Sequence, residues 1–275
     1  MEQLEEQVGE KHMTFLDHLE ELRWHIIRSF IAIVVLAIAA FSAKSIVFDI
    51  LIFGPAKTDF WTFRMLCKVG EFMNSDALCI EDIPFMIQSR NMTGQFTMHL
   101  ISSFVLGFIV AFPYIFWEIW RFIGPGLYPT ERKVSKGAVF FVTLLFTTGV
   151  FFGYFIMSPL AVNFLANYQV SDLVVNEFDI TSYVTTVTTL VLGSGILFQL
   201  PMVIFFLSKV GLVTPQLMRH YRRHAIIVIL FLGAMLTPPD PLSQILIAFP
   251  LYGLYQISIF ISASVQRKRL KANKS

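Results

Sequence analysis

Three carboxylates beside apolar runs have the clearest capacity for chemistry in this chain. Glu20 and Glu21 lie in HLEELR, residues 18–23, and Glu131 lies in RFIGPGLYPTERK, residues 121–133. The second segment carries one acid among Arg121, Arg132 and Lys133. Gly124-Pro125-Gly126 and Pro129 stiffen it, giving a shaped loop where polarity alone would serve as a connection. Shape with one exposed acid suggests recognition. Each acid also has a plainer reading. Glu131 follows Thr130 and can sit in a first helical turn, where the dipole favours it by ~0.3–1 kcal/mol. Glu20 and Glu21 can solvate a polar face, paired with Arg23 or His25 for ~0.2–0.5 kcal/mol.

Covalent catalysis finds little support. Neither GxxxxGK nor HExxH occurs, and no cysteine spacing suits a metal. The six histidines are His12, His18, His25, His99, His220 and His224. Gly193-Ser194-Gly195 superficially resembles an intramembrane serine protease site. A serine nucleophile needs a base, and residues 225–262 hold no histidine. Small residues that let helices approach closely are the simpler reading. Ion-coupled transport usually keeps ionisable groups in the membrane. Here the deep polar groups, Gln199 and Gln256, are neutral, and Glu118 and Arg121 fall at the end of an apolar run. No enzyme and no cofactor are expected.

The elements that must position these residues are helices. The chain has 275 residues, 55% hydrophobic and 15% charged, with mean hydropathy +0.66. A soluble domain has about a quarter of its residues charged, so a polytopic all-α membrane protein is expected. The acidic start lacks the basic and apolar regions of a cleavable signal peptide. Residues 1–13 read as a flexible tail. Thr14 and Asp17 form a capping box, and Phe15, Leu19, Leu22 and Ile26 then recur at helical spacing. An amphipathic interfacial helix is predicted there, running into a first span over residues 26–43, with a continuation to about residue 53 as the longer reading. A long polar loop, 54–94, holds Pro55, Trp61, Pro84 and both cysteines, Cys67 and Cys79.

Further spans are predicted over 96–119, 137–157 (ending at Pro159), 183–207 and 242–262, with a short apolar run at 225–236 before Thr237-Pro238-Pro239-Asp240-Pro241. That run falls short of the ~20 residues that cross a typical core. Spans five and six would therefore form a short hairpin in a six-span domain, 14–262, followed by a basic tail, 263–275. Lys and Arg concentrate after spans two and four and in the tail, and are absent from the loops after spans three and five. The positive-inside rule then places both termini in the cytoplasm. Trp24, Trp117, Trp120 and Trp61 read as interfacial anchors. This orientation puts Cys67 and Cys79 where a disulfide can form, two free thiols being the alternative.

The combination HLEELR (His18 to Arg23), FGP (Phe53 to Pro55), FPYIFWEIWRFIGPGLYPTERK (Phe112 to Lys133), FQLP (Phe198 to Pro201) and TPPDPLSQ (Thr237 to Gln244) resembles the TatC family, in order and across all six spans. The family is the core subunit of the twin-arginine protein translocase of the bacterial cytoplasmic membrane. The resemblance implies a receptor for signal peptides with consecutive arginines and a scaffold for export of folded proteins. It assigns peptide binding to Glu21 and Glu131, with Glu20, Arg23, Phe122 and Tyr128 supporting the surface. Pro55, Pro125 and Asp240 would be structural. It implies single-span partners of TatA and TatB type at the short hairpin, where Thr237, Gln244 and Gln199 could bond across helices; internal packing is the alternative. Self-association in a receptor complex and contact with the bilayer are implied, and nucleic acid is not. Gln199 and Gln256 stand where the family usually or often has Glu. A small-solute transporter or channel is the alternative function.

Overall fold

The computed structural model describes residues 15–73, 79, 85–123, 129–171, 173–174, 176–237 and 241–272, with side chains except at 15–18, 129–136, 241–243 and 268–272. Thr14, Pro125, Tyr128, Asp240 and the Glu131 side chain lie outside this description.

Helix α1 (Phe15–Ser42) is uninterrupted, so no break divides the expected interfacial stretch from the first span. It ends in a π-helical turn, Ile46–Ile52, and a 3-10 turn, Gly54–Ala56, that buries Pro55. The loop expected at 54–94 is more ordered than its polarity suggested. It contains α2 (Trp61–Phe72) and a three-residue strand, β1 (Met86–Gln88). Helix α3 (Gly94–Ile123) runs back antiparallel to α1 and holds Pro113 without a break. The two helices meet closely at Gly107, where an added Cβ would lie 2.7 Å from the Ala37 nitrogen.

The third span does not stop before Pro159. Helix α4 (Pro129–Phe152) passes through a π-turn, Gly153–Met157, into α5 (Ser158–Asn167). Pro159 occupies the first turn of α5, where its missing N–H has no partner to lose. The loop expected from residue 160 therefore begins after Asn167. Strand β2 (Glu177–Asp179) then pairs in parallel with β1, Met86 opposite Glu177 and Gln88 opposite Asp179. An all-α membrane protein thus carries one short ladder.

Asp179 caps α6 (Ile180–Leu197), its carboxylate accepting from the Thr181 N–H at 2.8 Å. Its other oxygen accepts from the Arg90 N–H at 3.0 Å, and Arg90 also pairs with Glu177 at 3.1 Å. The fourth span breaks at Phe198 and Gln199, and Pro201 opens α7 (Leu200–Val210). Thr214 caps the short α8 (Pro215–His220).

Helix α9 (Arg222–Leu236) has 15 residues, a rise of ~22 Å against a hydrocarbon core of ~30 Å. Helix α10 (Pro241–Ala272) continues well beyond the span, so the expected basic tail is helical through Ala272. Buried Met157, Leu190, Ile229, Ile247 and Leu251 join this hairpin to α6 and the α4–α5 turn. Among the described residues, five stretches are long and apolar enough to cross a membrane: Leu19–Ser42, Gly94–Ile123, Gly137–Asn167, Ile180–Val210 and Gln244–Arg267. Large apolar residues along α1, including Ile26, Phe30, Val35 and Ile38, remain exposed. Such a surface requires hydrocarbon around it.

Candidate functional site

Helices α1 and α3 are clasped by buried charge at the end where α1 begins. Glu118 lies on α3, 1% exposed. Its carboxylate contacts His25 Nδ1 on α1 across 93 positions of sequence and accepts from the Tyr114 hydroxyl at 2.9 Å. Arg28 approaches the same carboxylate at 3.7 Å. Helical spacing explains the convergence. Tyr114 sits four residues before Glu118, and Arg28 three after His25, so each pair shares a face. A carboxylate removed from water must be paired or hydrogen-bonded, and these three groups supply that.

The clasp positions the segments singled out by sequence. Glu21 is four residues before His25, hence on the same face and one turn farther along α1. It is half-buried, whereas Glu20 and Arg23 are exposed. Phe122 is one turn beyond Glu118, and its ring meets His25 edge-on at 6.0 Å. Arg121 lies over the Trp117 ring at 5.4 Å, a cation–π placement. The structure thus brings Glu21 and Phe122 to the same end of the α1–α3 pair. Glu131 falls in the first turn of α4 by its backbone. Of the four tryptophans expected at interfaces, Trp24, Trp61 and Trp117 are exposed, but Trp120 is buried against Phe206. It serves as core, because α7 packs over its face of α3.

In the sequence Glu118 is an acid at the end of a span. The available signal was Tyr114 at helical spacing before it. His25 could not be named, because a contact over 93 positions depends on the pairing of α1 with α3.

The residues expected to face partner helices turn inward. Gln199 Nε2 donates to the Val142 carbonyl of α4 at 3.1 Å. Gln244 Nε2 donates to the Leu230 carbonyl of α9 at 3.2 Å, and the Thr237 hydroxyl to the Gly233 carbonyl at 3.0 Å. Each side chain therefore makes a hydrogen bond within this chain. Ser194 and Gly195 of the Gly193-Ser194-Gly195 stretch are buried where α6 packs on α4. A Cβ added at Gly149 would lie 2.6 Å from the Ser194 carbonyl oxygen, and one at Gly195 2.9 Å from the Phe146 ring. Cys67 and Cys79 are joined by a disulfide, with a Cα–Cα distance of 4.2 Å. Among the described residues no cluster of three or more His, Cys, Asp or Glu is arranged to hold a metal.

Comparison with known proteins agrees with this architecture. Residues 17–250 match the family described as TatC: Sec-independent protein translocase protein (TatC). A Sec-independent protein translocase protein TatC from Blattabacterium sp. subsp. Periplaneta americana is 40% identical over 259 residues, covering 94% of this chain and 97% of that protein. The Campylobacter jejuni protein of the same name is 35% identical, covering 90% and 93%. A crystal structure of the twin arginine translocase receptor TatC in DDM superimposes with a TM-score of 0.70 at 31% identity, covering 89% of this chain and 99% of that one. A profile match through the helical bundle and a 40% identical relative covered end to end leave one assignment: the chain belongs to the TatC family of Sec-independent protein translocase proteins.

Proposed function

We propose that this protein recognises twin-arginine signal peptides and forms the core of a translocase for folded proteins. The observation that carries the reading is the His25–Glu118 clasp with Phe122 against it. It supports a fixed register between the acidic face of α1 and the start of the 121–133 segment. Glu21 and Glu131 would each take one arginine, with Glu20, Arg23, Phe122 and Tyr128 as the surrounding surface. A guanidinium stays charged and offers a planar fork that matches a carboxylate, which an ammonium lacks. A double-lysine peptide is therefore disfavoured.

Magnitude limits what the two acids do. A hydrogen bond to a charged group contributes ~1.5–3 kcal/mol, and less where water reaches it. Micromolar binding needs ~8 kcal/mol. The acids thus give specificity, and the peptide's apolar stretch supplies much of the affinity along the exposed helices. In this reading both termini face the cytoplasm, the protein lies in the bacterial inner membrane, and α9 with α10 forms a short hairpin where single-span TatA- and TatB-type subunits dock. Self-association would complete a receptor complex. The inward bonds of Gln199, Gln244 and Thr237 leave partner docking to the exposed apolar residues of the hairpin, such as Ile227, Phe231 and Phe249.

The test is crosslinking of a twin-arginine peptide to purified protein. Glu21→Ala and Glu131→Lys should each weaken binding while helical content stays constant. Unchanged binding in both variants sinks the assignment.

A further inference from the structure

At the opposite end of the α1–α3 pair, a cavity of mixed lining lies beside an apolar groove. The cavity, about 620 Å³, is lined by Lys44, Asp49, Gln88, Ser89, Gln95 and His99 over an aromatic floor. The groove, about 580 Å³, runs along α1 and α3 between Val34 and Phe41 on one side and Phe96 and Val105 on the other. Phe96 lines both. Phe41, in the groove, stacks on His99, in the cavity, with ring centroids 4.0 Å apart. The two spaces therefore lie side by side, separated by one aromatic wall.

Size and charge identify the occupant. From Val34 to Lys44 the helical path rises ~15 Å, half of a ~30 Å hydrocarbon core and so the depth of one leaflet. The groove walls, including Ile38, Leu100 and Phe104, are exposed to that leaflet. The cavity carries one cation and one anion. Among the described residues Lys44 makes no ion pair, and the Asp49 carboxylate accepts only from the Ser45 hydroxyl, at 2.9 Å. Lys57 is engaged with the Asp49 backbone carbonyl at 2.8 Å. His99 Nε2 is buried with no hydrogen-bond partner, a costly arrangement unless something enters to meet it.

We infer that this cavity and groove bind one phospholipid with a zwitterionic, primary-amine headgroup, of the phosphatidylethanolamine type. The phosphate pairs with Lys44 and accepts from His99 in its Nε2–H tautomer. The ammonium donates to Asp49. One acyl chain lies along the groove past Phe96. A glycerol headgroup brings no cation to Asp49, so the phosphate charge stays unbalanced beside that carboxylate. A choline headgroup has no N–H to donate, whereas an ammonium has three.

The test is native mass spectrometry of the delipidated protein, titrated with phosphatidylethanolamine, phosphatidylglycerol and phosphatidylcholine of matched chains. Phosphatidylethanolamine should be retained about tenfold better than the other two, the effect of one partly exposed charge-assisted pair. Lys44→Ala should lower retention of all three lipids, since each carries the phosphate. Asp49→Asn should abolish the preference for phosphatidylethanolamine over phosphatidylglycerol. Both side chains are exposed, so helical content should be unchanged, checked by circular dichroism. Equal retention of the three lipids, or a preference that survives Asp49→Asn, overturns the inference. Peptide binding is not the readout, so failure here leaves the receptor assignment standing.

Discussion

Replacing His25 with alanine removes the closest partner of Glu118 and leaves a carboxylate that is 1% exposed. Breaking a buried pair by removing one partner costs ~3–5 kcal/mol. Two features reduce that here. The Tyr114 hydroxyl still donates at 2.9 Å, and Arg28, half-exposed at 3.7 Å, keeps a cation beside the carboxylate. A loss of ~2–3 kcal/mol is therefore expected, roughly 30- to 150-fold in the folded-to-unfolded ratio. Glu118→Gln should cost less, because an amide keeps hydrogen-bonding capacity without a buried charge. In the double variant His25→Ala/Glu118→Gln the cost should fall below that of His25→Ala, since no uncompensated carboxylate remains. Stability is read by reversible unfolding in mixed micelles, and twin-arginine peptide affinity is measured on the folded fraction of each variant. If the clasp positions α1 against α3, peptide affinity falls with His25→Ala even where the protein is fully folded. A His25→Ala protein with unchanged stability and unchanged affinity would refute the reasoning, and lost stability with intact affinity would restrict the pair to folding.

Further outcomes are expected elsewhere. The Thr181 hydroxyl beside Asp179, with the backbone N–H groups of Arg90 and Thr181, holds the Asp179 carboxyl below the usual carboxylate range. The hydroxyl lies outside strict hydrogen-bond geometry, so the two N–H groups are the firmer anchors. A depressed value stabilises the folded state above the ordinary pKa of ~3.9 and loses that contribution as pH falls through the folded value; amide exchange at Arg90 and Thr181 should quicken only in that acid range, and not further in Asp179→Asn. Reducing Cys67–Cys79, separated by 12 positions, should remove up to ~3 kcal/mol of loop-closure stabilisation from this segment, seen as faster proteolysis around α2 with the spans intact. Gln199→Leu should cost ~1 kcal/mol through the lost bond to Val142; a larger effect on partner association than on stability, measured by copurification and unfolding, would show that Gln199 also faces outward.

The apolar runs read correctly as membrane helices because hydropathy over ~20 residues is a local property. The short α9 was legible for the same reason: TPPDP ends the helix wherever it packs. Boundaries set by packing were not. Pro159 looked like a stop, yet a helix tolerates proline in a first turn, and a π-turn lets α4 pass into α5. The polar loop hid a parallel ladder because β1 and β2 have three residues each and their pairing joins positions 86 and 177.

Membership of the TatC family, the helical class and the acids on α1 and at the head of α4 were written in the sequence, since motif identity, hydropathy and helical spacing act over a few turns. The tertiary structure alone decided which polar groups were spoken for. Gln199 and Gln244 look like free hydrogen-bonding groups in the sequence, but each is bonded to another helix of the bundle. Glu118 looks like a surface acid at a helix end, but it is buried against His25. Whether a polar side chain meets water, lipid or a partner depends on what lies across the helix interface, and that is fixed by contacts tens of residues apart in the chain.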